Sequence, residues 1–389
     1  MTAAVSPAAD EGELCLLLAP SQPPARAIER AAALAARAPD WDRAGKLASG
    51  HGVLPHFHRN LAQWFRREAG EETLHRLAAK ARNSAVRNLA LTSELLAVRE
   101  AFETEGIRAL PFKGPALSAL LYGGVAMRPF LDLDLLLAPE SVGPAGQILR
   151  RLGFEIEPPA PAFDRPFLHK DTAFVRPEGR VRVEVHWRLA EPKFGVAMDF
   201  EGLWRRRARV MVCGREVPTL DLEDLLLALA IHAARHCWSS LKWTCDIAEL
   251  LRTQPWVDLA GVRERAREMG CRRMLAVSLA LAAEMLEDPA RSRVREAVDA
   301  EGAVEAAASH VRRHLFQPPE SYYTDFILLL NLRERLADRW RMAWPELIDQ
   351  VRPAPGSRLP DYARRMGRLL RRYGCEPLVR LAGWRTGKF

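Results

Sequence analysis

Two aspartates separated by a single residue lie in an otherwise apolar stretch, Arg128-Pro-Phe-Leu-Asp132-Leu-Asp134-Leu-Leu-Leu. On a β-strand, alternation would place Asp132 and Asp134 on one face and the intervening leucines on the other. Burying two adjacent carboxylates is unfavourable unless a positive charge compensates them. Paired carboxylates suit Mg²⁺ with a bound phosphate, so the spacing indicates metal-dependent phosphoryl or nucleotidyl transfer. The alternative is a solvated strand edge whose aspartates accept hydrogen bonds from a neighbouring loop.

Lys113-Gly114 precedes Arg128 by fifteen residues and is the candidate phosphate-binding turn. Glycine allows the backbone to approach a phosphate closely at the start of the following helix, where the helix dipole favours anions. Lys113 and Arg128 would add positive charge, which matters more here because Pro115 removes one amide donor. For Arg128 the alternatives are a carbonyl cap or a surface charge. The pattern of a Walker-type loop is absent from the sequence.

A second acidic residue pattern occurs in the predicted strand 181–189. Val181, Val183 and Val185 alternate with Arg182, Glu184 and His186, so the polar residues would share one face. Glu184 could then join the two aspartates, and His186 could orient a carboxylate or a phosphate. The alternative is a surface strand on which Arg182 and Glu184 pair locally, with His186 as a structural hydrogen-bonding residue.

Three sequence blocks together resemble a bacterial family of uncharacterised nucleotidyltransferases in the DNA polymerase β-like superfamily. The blocks span residues 110–136, 183–189 and 232–248, and the resemblance extends over roughly residues 80–255. It implies that Asp132, Asp134 and Glu184 are the catalytic residues and the ligands of Mg²⁺ or Mn²⁺. It also implies a nucleoside triphosphate substrate, with ATP the expected donor. The superfamily usually has Gly-Ser where this chain has Lys113-Gly114, so phosphate binding is expected to depend on Lys113, Gly114, Arg128 and His186.

The third block carries His232 and His236 at a helical spacing of four residues. They could form half of a zinc site, but no glutamate follows His232 and no third ligand is evident. We favour a packing role, in which Trp238, Trp243 and Asp246 help to close the helical part of the chain over the sheet. The resemblance leaves open whether His232 or Asp246 contacts substrate. His310 and His314 repeat the spacing without a companion block, and we expect them at the surface.

The elements that must position these residues define the predicted fold class, α+β. A small mixed sheet forms a nucleotidyltransferase core, flanked by N- and C-terminal helical regions. We expect a helical region at 1–105, an α/β core at 106–221 and a helical domain at 222–389. Within the core, apolar runs and turn residues predict helices at 114–121 and 142–152. The predicted strands lie at 107–112, 131–137, 154–157, 172–176, 181–189, 208–213 and 216–220.

Composition limits the remaining possibilities. A chain of 389 residues is expected to form two or three domains. The net charge of +8 is dispersed, so nucleic acid is an unlikely partner. Six cysteines without a Cys-x-x-Cys spacing suggest free thiols in a reducing compartment, and the N-terminal stretch is unlike a signal peptide. We therefore expect a cytoplasmic protein without a membrane span.

The leading functional hypothesis is transfer of a nucleoside monophosphate from a nucleoside triphosphate to a hydroxyl acceptor, either a small molecule or a protein. The alternative is a catalytically silent nucleotide-binding or scaffold protein with the same fold. The acceptor, the preferred base and the oligomeric state are not encoded in any recognisable pattern.

Overall fold

The computed structural model describes residues 7–158, 169–178, 181–299, 301–317 and 322–351. Its contacts divide the chain between Glu334 and Arg335 into two compact units. The first unit contains all the motifs introduced above. The described part of the second unit is a single helix, α17 (Leu336–Val351).

The N-terminal region is helical, as predicted. Its helices are α1 (Pro7–Leu18), α2 (Ala25–Ala35), α3 (Trp41–Gly50), α4 (Leu54–Trp64), α5 (Arg66–Ala69) and α6 (Glu71–Thr104). The long helix α6 buries one stripe of its surface, including Leu91, Leu95 and Phe102, in the same hydrophobic core as Leu133 and Leu135 of the sheet. This packing fixes the back of the sheet, so that its polar face is turned toward the other elements.

The central sheet is mixed and has five strands, which confirms the predicted fold class. The strands are β1 (Ala109–Pro111), β2 (Leu133–Leu137), β3 (Glu155–Ile156), β4 (Asp171–Val175) and β5 (Arg182–His186). Their order is β1-β2-β5-β4-β3, and only the β2–β5 pair is parallel. Helices α7 (Gly114–Tyr122) and α8 (Val142–Arg151) and a 3₁₀ turn at Pro139–Ser141 lie between these strands, and a second 3₁₀ turn at Pro192–Phe194 follows β5.

The predicted extent of the acidic strand is wrong at its start. Strand β2 begins at Leu133, and Asp132 lies in the bend before it. Leu131, which strand alternation would place on the same face as the buried Leu133, is instead 66% exposed. The strand begins where the chain gains its first register partner, at Leu133 with Val183 of β5, and it gains a second neighbour at Leu135 with Pro111 of β1.

A two-stranded hairpin follows the central sheet. It consists of β6 (Ala208–Val212) and β7 (Arg215–Thr219), after the short helix α9 (Phe200–Arg206). The connecting residues Cys213 and Gly214 both have positive φ, as a two-residue hairpin turn requires. Thr219 Oγ1 donates a hydrogen bond of 2.7 Å to the carbonyl oxygen of Pro111, which ties the hairpin to β1.

The rest of the first unit is helical, again as predicted. The helices are α10 (Leu222–Arg235), α11 (Leu241–Thr253), α12 (Leu259–Met269), α13 (Arg272–Ala283), α14 (Ala290–Glu296), α15 (Gly302–His314) and α16 (Tyr322–Asn331). Because α10, α11 and α13 are buried on most of their faces, they form the centre of this region. The division at residues 105 and 221 remains a prediction.

None of the described helices is both long and apolar enough to cross a membrane. The five cysteines within the described residues are free thiols, as expected from their spacing. Cys375 lies outside the described residues.

Candidate active site

The parallel pairing of β2 with β5 brings two acidic residues side by side. Asp134 is the register partner of Glu184, and His186 lies two residues further along β5 on the same face. One ligand atom from each of these three side chains lies within 4.8 Å of the others, and no other such cluster occurs among the described residues. The sequence-based prediction that Glu184 lies beside the aspartate strand is therefore matched by the geometry.

Asp134 is the most completely neutralised carboxylate of the cluster. Its Oδ1 lies 2.6 Å from Lys113 Nζ and 2.9 Å from His186 Nε2. Burial alone would raise the pKa of Asp134, but Lys113 and His186 outweigh it and hold that pKa well below its ordinary value. Asp134 is therefore ionised throughout the physiological range, although it is only 2% exposed.

His186 lies between the two carboxylates. Its Nε2 is 2.9 Å from Asp134 and 3.2 Å from Glu184 Oε2, so the same ring nitrogen approaches both. Burial opposes protonation of the imidazole, but the hydrogen bonds to Asp134 and Glu184 raise its pKa above the ordinary value. On the other side, Nδ1 lies 3.5 Å from Asp171 Oδ2, and the ring packs edge-on against Phe112. His186 thus holds the two acidic side chains together.

Glu184 makes both of the contacts considered from the sequence: it lies in the acidic cluster, and it pairs with Arg182. Its Oε1 lies 3.0 Å from Arg182, which also pairs with Glu157 at 2.9 Å. Its Oε2 is directed to His186. Burial would raise the pKa of Glu184, but the His186 hydrogen bond and charge lower it to about 2. The predicted Arg182–Glu184 pair is present, and it leaves Glu184 in the cluster.

Asp132 differs from the other two carboxylates. It is half-buried, and no hydrogen bond or ion pair joins its side chain to another described residue. Burial and the neighbouring charge of Asp134 raise its pKa, against the weaker effect of Lys113, and Glu184 adds to the rise. An ionised carboxylate in this position lacks a compensating partner, which is the condition that a bound cation would relieve.

Lys113 and Gly114 occupy the junction between β1 and α7. Gly114 has φ of +56°, and a Cβ there would lie 3.3 Å from the carbonyl oxygen of Asp132. Both facts favour glycine and bring the start of α7 against the bend that carries Asp132. The Lys113 side chain is buried and reaches Asp134, with His232 Nδ1 3.4 Å from its Nζ. Its predicted role in binding phosphate stays a prediction.

Arg128 is placed differently from either alternative considered above. It is 4% exposed, and its Nε and Nη2 donate to the carboxylate of Asp246 at 2.8 to 2.9 Å. The Tyr122 hydroxyl donates to the same carboxylate at 3.0 Å. The carbonyl-cap and surface-charge alternatives for Arg128 are therefore wrong. Asp246 is fully buried and bound on both oxygens, which favours packing over substrate contact. A phosphate role for Arg128 remains a prediction.

Lys242 is a candidate that the sequence patterns did not reveal. It lies on α11 one turn before Asp246, and its ammonium makes no hydrogen bond or ion pair with another described residue. Burial and the charge of Arg128 lower its pKa to about 8, against the opposing effects of Asp246 and Asp132. Its aliphatic stem packs on Gly52, where a Cβ would lie 3.1 Å from Lys242 Cδ. Two features of the sequence could have indicated Lys242: it lies in the third block, residues 232–248, and lysine is rare in this chain, with only seven in total.

Asp171 and Lys170 were also missed, because the predicted strand began one residue too late. Asp171 begins β4 and is the register partner of His186, and it forms an ion pair with Lys170. Together they complete the surroundings of His186 on the side away from Asp134.

Three aromatic rings connect the cluster to the helical region. The centroid of the His232 ring lies 4.9 Å from that of His236 and 5.2 Å from that of Trp243, and the His236 and Trp243 centroids are 5.0 Å apart. Since the described residues bring three metal-ligating atoms together only at Asp134, Glu184 and His186, the rings do not form a zinc site. Trp238 is fully buried and donates to Ser278 Oγ at 2.9 Å, as its expected packing role requires.

The surface position expected for His310 and His314 stays a prediction. Their rings stack with centroids 4.2 Å apart, both residues are only partly exposed, and both line a cavity. The spacing was recognised, but the sequence contained no indication that α3 and α16 supply the other walls.

The sequence model of one protein family, described as uncharacterised nucleotidyltransferase, matches residues 37–287. Among solved structures, the lincosamide antibiotic adenylyltransferase LnuA, bound to lincomycin, is 18% identical; the likeness covers 41% of this chain and 94% of that one, with a TM-score of 0.30. An antigenic nucleotidyltransferase-like protein from Paracoccidioides brasiliensis is also 18% identical, over 56% of this chain and 95% of that one, with a TM-score of 0.32. No curated protein matches the sequence.

Proposed function

The chain belongs to the uncharacterised nucleotidyltransferase family, and from that premise we propose that it transfers a nucleoside monophosphate from a nucleoside triphosphate to a hydroxyl group. The expected donor is ATP, and the acceptor is a small molecule or a protein. The observation that carries the proposal is the pairing of Asp134 with Glu184 across parallel strands, with the uncompensated Asp132 beside them.

The donor set of this cluster fits a hard divalent cation. Asp132, Asp134 and Glu184 offer carboxylate oxygens, the ligands that Mg²⁺ and Mn²⁺ favour. When bound, such an ion would neutralise phosphate charge and lower the pKa of the attacking hydroxyl. Lys113 and His186 both approach Oδ1 of Asp134, and no hydrogen bond from a described residue reaches Oδ2. His186 keeps the Asp134 and Glu184 side chains in one place, so we assign it a positioning role.

Positive charge for the triphosphate comes from two lysines in this proposal. Lys113 lies at the start of α7, and Lys242 approaches from α11. Because the ammonium of Lys242 is not committed to a carboxylate, it can bind an anionic phosphate without breaking an existing ion pair. Arg128 acts indirectly, since its bonds to Asp246 fix the position of α11 and therefore of Lys242.

The proposal is tested with ATP labelled at either the α- or the γ-phosphate, incubated with Mg²⁺ and an extract of small-molecule acceptors. With the α-label we expect a labelled new product and unlabelled pyrophosphate, and with the γ-label we expect an unlabelled product and labelled pyrophosphate. Asp134→Asn should abolish the product. Asp42→Asn, which changes an aspartate paired with Arg76 on the surface, is the matched control. Transfer of the γ-label, or full activity in Asp134→Asn, would contradict the proposal.

A further inference from the structure

The two compact units differ sharply in charge. The first, residues 1–334, carries 44 basic and 44 acidic side chains, so its formal net charge is zero. The second, residues 335–389, carries thirteen basic and five acidic side chains. The whole net charge of +8 therefore belongs to the second unit, and the expectation that this charge is dispersed is wrong once the chain is divided into its units.

Helix α17, which lies in the second unit, carries an exposed apolar stripe. Leu336, Trp340 and Trp344 are 73%, 63% and 58% exposed, and their spacing of four residues puts them on one side of the helix. Asp338 and Met342 are buried. Because these two residues follow Leu336 and Trp340 by two positions, they lie about 200° around the helix axis from them. Helix α17 therefore packs by its opposite side and leaves the stripe open.

The stripe is denser than the exposed apolar surface elsewhere. Nine large hydrophobic side chains are exposed among the described residues, and three of them fall within nine consecutive residues of α17. The other six are spread over α4, α6, the bend before β2, β6 and the loop after α11. Single exposed hydrophobic residues are ordinary, whereas a contiguous set rimmed by polar groups marks an interaction surface.

The remaining sequence of the second unit combines the same two kinds of side chain. Residues 352–389 lie outside the described residues, and their sequence contains nine arginines, one lysine, five leucines and four aromatic residues. Guanidinium groups bind phosphate oxygens in pairs of hydrogen bonds. Tryptophan and leucine favour the apolar region directly beneath a layer of lipid headgroups. The unit is therefore suited to a surface that is both anionic and apolar.

Charge complementarity separates the possible partners. A second copy of this unit would bring +8 against +8, and the first unit offers no net negative charge to attract it. Nucleic acid would attract the arginines, but its phosphates and bases provide no apolar layer for Leu336 beside the two tryptophans. An anionic bilayer supplies phosphates and hydrocarbon at adjoining depths.

We propose that the second unit binds the surface of an anionic lipid bilayer. Leu336, Trp340 and Trp344 enter the boundary between headgroups and hydrocarbon, and the arginines of the unit contact lipid phosphates. With 16 residues, α17 is shorter than the roughly 20 needed to cross a bilayer, so it lies along the surface in this arrangement. This binding is separate from nucleotidyl transfer and does not depend on it.

The test is flotation of the full-length chain with vesicles of phosphatidylcholine alone and of phosphatidylcholine mixed with an equal part of phosphatidylglycerol. We expect binding to the anionic vesicles only, and weaker binding as the salt concentration rises. The double variant Trp340→Ser with Trp344→Ser should bind about tenfold more weakly. Trp256→Ser changes a tryptophan of the first unit that is 71% exposed, and this matched control should bind as the wild type does.

A second pair of variants tests the charge without altering α17. Arg371→Glu with Arg372→Glu should also weaken binding by about tenfold or more. Arg66→Glu with Arg67→Glu makes the same change of charge on the exposed helix α5 of the first unit, and it should have little effect. Circular dichroism checks that each variant folds, and the charge pair decides the matter if the tryptophan variant does not.

Three results would overturn the inference: no binding to the anionic vesicles, equal binding to both kinds of vesicle, or an equal loss of binding in Trp256→Ser. A single-stranded RNA oligonucleotide, added at the same phosphate concentration as the lipid, should leave the chain on the vesicles. If the RNA displaces the chain from them, the second unit is a nucleic-acid-binding segment and the lipid assignment is wrong.

Discussion

Two clusters of buried charge lie in the first unit, and they are built differently. In one, the Asp246 carboxylate accepts hydrogen bonds from two nitrogens of Arg128 and from the hydroxyl of Tyr122, so its charge and its hydrogen-bonding capacity are satisfied. In the other, Asp134 and Glu184 share Lys113, His186 and Arg182, whereas neighbouring Asp132 makes no hydrogen bond or ion pair with another described residue. A satisfied pair holds a fold together, whereas a carboxylate without a partner, such as Asp132, is suited to binding a cation.

The difference also explains the position of the helical region. Asp246 lies on α11 and Arg128 precedes β2, so their pair joins the helices to the edge of the sheet. Lys242, one turn earlier on α11, is brought toward Asp132 by the same contact. The Arg128–Asp246 pair therefore positions Lys242, which can act together with the acidic cluster of Asp132, Asp134 and Glu184.

The largest expected effect comes from breaking the satisfied cluster. Arg128→Met would leave Asp246 buried without its cation, which typically costs about 3–5 kcal/mol of unfolding free energy. Urea denaturation measures the loss, and ATP affinity in the remaining folded protein should fall by no more than the roughly tenfold expected for loss of Lys242, because Arg128 acts on ATP only through the position of α11. The double variant Arg128→Met with Asp246→Leu should recover part of the stability. Unchanged stability with a large loss of ATP affinity would instead make Arg128 a phosphate ligand.

A substitution of Asp132 in the acidic cluster should have the opposite effect: it should raise stability and lower activity. Asp132→Asn is expected to lower the transfer rate by about 10²–10³-fold, as removal of a group that stabilises the transition state does. In the absence of metal, the same change should raise the melting temperature at pH 7, because burial and Asp134 make the charged form of Asp132 unfavourable. Label transfer and calorimetry measure the two effects. A variant that was both less stable and fully active would contradict the distinction between the clusters.

Glu184 provides a pH test of the acidic cluster. Its pKa is lowered from 4.5 to about 2, so the unfolded chain binds its proton more readily than the folded one. Its contribution to stability is present above pH 4.5 and is lost as pH falls toward 2. Glu184→Gln should therefore flatten the stability profile in this window, while also depressing turnover more than ATP affinity. An unchanged profile between pH 4.5 and 2 would show that the His186 contact does not stabilise Glu184.

The smallest expected effect concerns Lys242. Lys242→Met should weaken ATP binding by about tenfold and leave AMP binding nearly unchanged, since the lysine faces the outer phosphates in our proposal. Without nucleotide, the variant should be more stable than the wild type at pH 7, because the pKa of Lys242 is lowered from 10.5 to about 8. That advantage should shrink as pH rises from 8 to 10.5, where the unfolded chain also loses the charge. Lys46→Met is the matched control; equal loss of ATP affinity in both variants would exclude a specific role for Lys242.

Sequence patterns predicted the acidic cluster of Asp132, Asp134 and Glu184 much better than the Arg128–Asp246 pair. Alternation along two short strands was enough to place Asp134 and Glu184 on polar faces, and a parallel register brought them together. No local pattern connects Arg128 with Asp246, 118 residues later, because that pairing depends on how α11 packs on the sheet. The same reason hid Lys242 and the cavity that His310 and His314 line. The bend at Asp132 was missed because the leucine alternation continues past the end of the ladder.

The central claim is that Asp132, Asp134 and Glu184 form a site for a metal-bound nucleotide. The most direct test is calorimetric titration of ATP into the wild type and Asp132→Asn, each with Mn²⁺ and with EDTA. The account predicts that Mn²⁺ strengthens ATP binding to the wild type and that most of this metal dependence is lost in Asp132→Asn, while the weaker metal-free binding to Lys113 and Lys242 is kept. Equal metal dependence in the two proteins, or none in the wild type, would contradict it.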